Sequence, residues 1–240
     1  MSAQPQGMPR PMGTPIAQQP REVRGQFMTR VYGLVIGGIG AFMAMQYLLF
    51  EYGIAAAIAQ IVIDTNWLII LGGFMVVSWM ANNLGHRGGS RGKQLAGYGV
   101  LIAANALLFA APLWIANEMA TAADGPSVIF QAAMLSILAF AGLSFIALTT
   151  GKDFSFMRGI LMWGGVLALA LIVGSVLFGV TLGLWFSIAM IGFAGAAILY
   201  STQEIYKNYP PELEIAAAMS LFSSLALLFW YILRLFMERR

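Results

Sequence analysis

The chain has 240 residues, 60% of them hydrophobic and only 10% charged, with one histidine, no cysteine and a formal net charge of +3. Ordinary soluble domains are about 25% charged, so this composition excludes a water-soluble globule, and the small net charge gives no basis for nucleic-acid binding. Without thiols there is no disulfide and no cysteine nucleophile, and His86 alone cannot build a multi-histidine metal site.

Residues 1–24 hold five of the nine prolines (Pro5, Pro9, Pro11, Pro15, Pro20) and four glutamines. Such a segment buries too little apolar surface to offset its ordering entropy. It is expected to be a disordered cytoplasmic tail, not a signal peptide, with the membrane domain at 25–240. Seven apolar runs follow, which predict an all-α, polytopic membrane protein. The helices are placed at about 27–50, 64–83, 95–117, 128–149, 156–178, 182–205 and 213–237. The second is the weakest, because Asp64 and Asn82-Asn83 flank a short apolar stretch. Between Phe156 and Gln203 the apolar run is nearly unbroken; as one helix it would be about 72 Å long, against about 30 Å of hydrocarbon. It must reverse, and Gly179-Val-Thr-Leu-Gly183 is the natural place.

Ten of the 13 basic residues fall on one side of this arrangement: Arg10, Arg21, Arg24, Arg30, Arg87, Arg91, Lys93, Lys152, Arg158 and Lys207. The opposite loops, near 51–63, 118–127 and 179–182, carry Glu51, Asp64, Glu118 and Asp124 at or beside them and no Lys or Arg. Basic loops stay on the cytoplasmic side, so the N-terminus is expected there. Seven crossings leave Arg239 and Arg240 outside, against that rule; a re-entrant last helix would bring them back. Seven crossings are retained. A short chain without organelle signals suits a bacterial inner membrane, with eukaryotic endomembranes as the alternative.

Charge inside a span usually marks a transport path, and none lies mid-span here. Arg158 and Arg234 lie near span ends, as does Glu204. Ser220 and Ser224 share one face of the last helix, where close packing is favoured over a polar lining. Gly33-xxx-Gly37 and Gly192 with Ala196 read as packing surfaces, and Gln46, Asn105 and Gln131 as hydrogen bonds between helices. Gly88-Gly89-Ser90-Arg91-Gly92 fits G-x-S-x-G, but a basic loop between helices lacks the strand and acid–histidine partners of that motif. No enzyme is expected, and no cofactor.

Four segments carry a family likeness. They are Phe27-Met-Thr-Arg-Val-Tyr32, Thr150-Gly-Lys-Asp-Phe-Ser-Phe156, Ala197-Ile-Leu-Tyr-Ser-Thr-Gln203, and Ala218-Met-Ser-Leu-Phe222 with Tyr231-Ile-Leu-Arg-Leu-Phe236. In order and spacing they resemble the Bax inhibitor-1 family, also called the transmembrane Bax inhibitor motif family, across about 27–237. The resemblance implies six helices around a central, hydrophobic seventh. It implies a pH-sensitive calcium leak, with roles in cell death or membrane-protein quality control. It attributes the pH response to two aspartates, one on each of the last two helices, and to a basic residue after the second. Paired carboxylates share a proton and so titrate near neutrality. In this chain those positions are Ser201, Ser224 and Ala81. Losing all three leaves a neutral site, so the carboxylate pH sensor is expected to be absent. A substitute built on Glu204, Glu212 or Glu214 is disfavoured, these being read as solvated acids beside Lys207. Lys152 and Asp153 match the family's loop, with Asp153 expected to cap the fifth helix and Lys152 to meet anionic lipid. Arg234 matches a family arginine, snorkelling to the interface or closing an outer pore mouth.

Two functions therefore compete: a passive leak for calcium or other cations, and a non-conducting regulator that binds another membrane protein, such as a quality-control protease. The bilayer is the partner common to both.

Overall fold

The structure, a computed structural model, describes residues 13–87, 90–122 and 127–239. Arg10, Asp124, Arg240 and the Gly88-Gly89 part of the G-x-S-x-G match lie outside the described residues, as does the first half of the N-terminal tail. Among the described residues there are eight α-helices: α1 (Arg21–Glu51), α2 (Ile54–Asp64), α3 (Trp67–Arg87), α4 (Arg91–Ala122), α5 (Val128–Thr149), α6 (Met157–Phe178), α7 (Gly183–Asn208) and α8 (Glu214–Glu238). All but α2 are long and apolar enough to cross a membrane.

α8 occupies the centre. Ala217, Met219, Leu221, Leu228 and Ile232 are almost wholly buried. It packs against α1, α3, α4, α5 and α7, and its Tyr231 shares a small buried cluster with Met190 of α7 and Ala168 of α6. The run Ala216–Ala217–Ala218 is buried throughout; small side chains let neighbouring backbones close in, which matters where no hydrophobic force sorts helices in lipid. Around α8, Phe109 of α4 stacks on Phe229 and meets Trp230 edge-on, while Trp67 of α3 stacks on Trp230. Large side chains elsewhere, such as Phe145, Trp163, Phe178 and Trp185, point away from the bundle, as lipid-facing residues do. The expected arrangement of six helices around a seventh is the one observed.

The last helix runs the height of the bundle. Its first residue, Glu214, meets Arg91 at the start of α4, and its last, Glu238, accepts a hydrogen bond from Ser187 near the start of α7. These contacts lie at opposite ends, because α7 begins at the end where α4 finishes. At about 1.5 Å per residue the 25 residues of α8 span about 37 Å, enough for a full crossing. The end holding Arg30, Arg91, Lys152 and Lys207 is called the basic end below, and the other the far end.

Two expectations need correction. The segment near 51–63, read as a loop, is mostly helical. Gly53 adopts left-handed φ (+68°) and breaks α1 from α2. α2 then lays Ala55 against Ala106 and Ala110 of α4. At about 16 Å it is too short to cross. Residues 13–24 are also not the expected tail. Ile16 is fully buried in a single 3-10 turn, its N–H donates to the Tyr209 carbonyl (2.8 Å), and α1 already begins at Arg21. The predicted reversal after α6 is present, with Gly179 and Gly183 both at positive φ (67° and 60°).

Candidate functional site: a cleft along the central helix and its seal

A cleft of about 750 Å³ runs beside α8, between α3, α4, α6 and α7. It reaches from Trp67, Thr181 and Arg234 at the far end to Asn82 and Ser223. Along α8, Ser223 to Arg234 is about 16 Å. The walls are mainly apolar, with neutral polar groups from Ser78, Asn82, Asn105, Ser175 and Ser223. Among the described residues the buried Ser78 hydroxyl has no hydrogen-bond partner. Asn82 and Asn105 donate to carbonyls one turn back on their own helices, those of Ser78 and Leu101 (both 2.8 Å). Asn105 is thus not the bridge between helices that was expected. Gln46 is one, donating to Ala106 of α4 (2.8 Å).

At the far mouth Arg234 pairs with Glu238 (2.8 Å), whose other oxygen accepts from Ser187 (3.2 Å). Neutralised within its own helix, Arg234 lines the cleft instead of simply reaching for the interface. Glu238 was not singled out in the sequence, although its i,i+4 spacing from Arg234 was the available signal.

Towards the basic end the cleft stops at close apolar packing. The Met219 sulfur lies where a side chain on Gly85 would sit. One turn away on α3, the buried Ala81 turns its carbonyl onto Gly97 of α4, 2.7 Å from an ideal Cβ there. Gly85 and Gly97 allow α3 to approach α8 and α4 this closely. Of the three residues expected to stand at the family's sensor positions, Ala81 lies in this packing. Ser224 is buried on α8 and its hydroxyl donates back to Ser220 (3.0 Å); Ser201 is half-buried on α7. Among the described residues no hydrogen bond joins Ser201 to Ser224.

The ionic groups lie beyond the seal. Glu214 is buried, contrary to its reading as a solvated acid, and meets Arg91 (2.8 Å) and Arg30 (3.7 Å). Its partners are far away in sequence; the clue was that Arg30 and Arg91 sit near helix starts at the same end. Lys207 bonds Asp153 (3.1 Å) rather than Glu214, and Glu204 accepts from Asn208 (2.8 Å). Arg24 lies over the Tyr206 ring and donates to its hydroxyl (3.2 Å).

The 150–156 loop is held by a residue whose role the sequence concealed. Buried Gln203 accepts from the Phe154 N–H (2.6 Å) and donates to the Lys152 carbonyl. Lys152 itself is exposed. Asp153 does not cap α6, whose N-cap is Phe156. It accepts from the N–H and hydroxyl of Ser155 and from Lys207. Those bonds, Ser155 first, hold its carboxyl below the usual carboxylate range.

Gly33, Gly37 and Gly192, expected to be packing surfaces, face open space, with no atom within 4 Å of an added Cβ.

The chain is 36% identical over 118 residues to an uncharacterized protein of Pseudomonas aeruginosa, a match covering 47% of this chain and 51% of that protein, or about half the length of each. Residues 24–240 match the family model described as inhibitor of apoptosis-promoting Bax1. With seven apolar helices, the last at the centre, and a match over nearly the whole chain, this protein belongs to the Bax inhibitor-1 family.

Proposed function

We propose that the protein is a passive leak for calcium or other cations, in which the paired-carboxylate pH sensor of its family has been lost. The observation that carries this reading is the cleft along α8, mainly apolar with a few neutral hydroxyl and amide groups in its walls, and stopped at one end by Met219 against Gly85. A route of this kind opens when α3 separates from α8, a movement opposed by apolar contacts rather than by an ion pair. Neither Ser201 nor Ser224 titrates near neutrality, so protons have no carboxylate pair to act on there. The chain does this without enzymatic chemistry. Its basic end faces the cytoplasm, by the distribution of Lys and Arg, and the bacterial relative supports a bacterial inner membrane.

The test is calcium release from liposomes holding the purified protein. Release down the gradient is expected, changing little between about pH 6 and 8. The exposed His86, bonded to the Asn82 carbonyl (2.9 Å), is replaced in a parallel sample as a control. Ser201→Asp with Ser224→Asp should introduce a pH response. Absence of flux would overturn the leak in favour of a non-conducting regulator of another membrane protein. A steep pH response in both the parent and the His86→Ala variant would overturn the loss of the sensor.

A further inference from the structure

A second recess lies on the outside of the bundle, between α1 and α4 at the basic end, with a volume of about 510 Å³. Its floor is backbone. Gly33 and Gly37 of α1 and Gly99 of α4 are exposed, and a Cβ on any of them would meet nothing within 4 Å. Below them the recess is closed, because the Tyr98 hydroxyl donates to the Leu34 carbonyl (3.0 Å) and lies where a Gly38 side chain would be. The result is a shallow apolar trough on a lipid-facing surface.

The mouth of the trough is charged. Arg30 and Arg91 stand on either side with side chains 65% and 69% exposed, and one buried carboxylate, Glu214, lies between them. Two guanidinium groups against one acid leave a net positive charge. Arg91 is held at 2.8 Å, but Arg30 is 3.7 Å from the carboxylate, beyond hydrogen-bond distance. Guanidinium groups match phosphate oxygens in pairs. From Arg30 to Gly37 is about 10 Å along the helix, which places the trough floor in hydrocarbon when the arginines are at headgroup level.

From this geometry we infer that the trough is a binding site for one anionic glycerophospholipid, with its phosphate between Arg30 and Arg91 and an acyl chain over Gly33, Gly37 and Gly99. A second copy of the chain fits less well. Two α1 helices crossing at Gly33 and Gly37 would set Arg30 against its own counterpart one turn away, a like-charge contact. Glu214 competes with the lipid for the same guanidinium groups and so sets the affinity.

The test is native mass spectrometry of the full chain released from detergent, titrated with phosphatidylglycerol or phosphatidylcholine. One phosphatidylglycerol should be retained in preference to phosphatidylcholine. Arg30→Gln and Arg91→Gln should each weaken it about fivefold, and together about 25-fold. Gly33→Leu with Gly37→Leu should abolish retention by filling the floor. Glu214→Gln should strengthen phosphatidylglycerol binding several-fold, a gain that a misfolded variant could not give. Inorganic phosphate at the same concentration should not displace the lipid, since it lacks the chain. Equal retention of the two lipids, indifference to all three charge substitutions, displacement by phosphate, or a dimer dissolved by the glycine substitutions would each overturn the assignment.

Discussion

α6 and α8 are both continuous apolar helices of span length, yet 67% of the apolar stretch of α8 is buried against 6% of that of α6. α6 has one buried side chain, Ala168. Hydropathy therefore says that a segment enters the bilayer and not where it sits within the bundle. Small side chains alone do not separate the two, since α6 also carries Gly159, Gly164, Gly165, Ala168, Ala170 and Gly174; α8 differs in its contiguous alanines and its serines. α8 carries Ala216–Ala217–Ala218, Ser220, Ser223 and Ser224, over which other helices close, whereas α6 presents Ile160, Trp163, Val166 and Leu167 outward. In lipid, packing and hydrogen bonding choose the neighbours.

The comparison can be broken by paired truncations. Leu228→Ala on α8, where the side chain is 1% exposed, should cost about 2–5 kcal/mol by opening a cavity. Leu167→Ala on α6, 61% exposed, should fall within about 0.5 kcal/mol of the parent. Unfolding in mixed detergent micelles measures both, and equal losses would end the distinction between centre and periphery. The loop that precedes α6 is tied to α7 by Gln203. Gln203→Leu leaves the buried Phe154 N–H without a partner and should cost about 1–3 kcal/mol, seen as faster amide exchange at 152–156 while α8 stays protected. The smallest effect concerns Asp153. Its carboxyl is depressed by Ser155 and Lys207, so its contribution is complete above the unfolded carboxylate pKa and is lost as pH falls through the lower folded value. Asp153→Asn should speed exchange in this loop at neutral pH, with the difference from the parent vanishing in strong acid. A difference that persists there would mean the aspartate acts by shape and not by charge.

The seven long spans were legible because each is an uninterrupted apolar run, and the reversal at Gly179–Gly183 because one helix of that length could not fit the membrane. α2 was not legible, since an 11-residue apolar helix has neither span length nor a loop's composition. Ile16 was hidden by its proline-rich neighbours: composition describes a segment's average, and one buried side chain with one backbone bond to Tyr209 does not alter it. At the site, the neutral residues Ser201, Ser224 and Ala81 could be read directly, but the apolar seal could not. It depends on glycines at 85 and 97 meeting Met219 and Ala81 across helices, which no local spacing reveals. Glu214 was misjudged for the same reason, because its local neighbours are polar while its actual partners come from α1 and α4.

The central position of α8 bears on how the molecule is made. Helices leave the ribosome in sequence order, so the six that surround α8 are threaded into the bilayer before their hub exists. Until it arrives they form an incomplete ring whose inner faces must be solvated by lipid or by the insertion machinery. Ile16 docks on α1 and α7, and its partner Tyr209 is made only after α7, so the first core residue among the described residues waits for most of the chain to be synthesised before it can take its place.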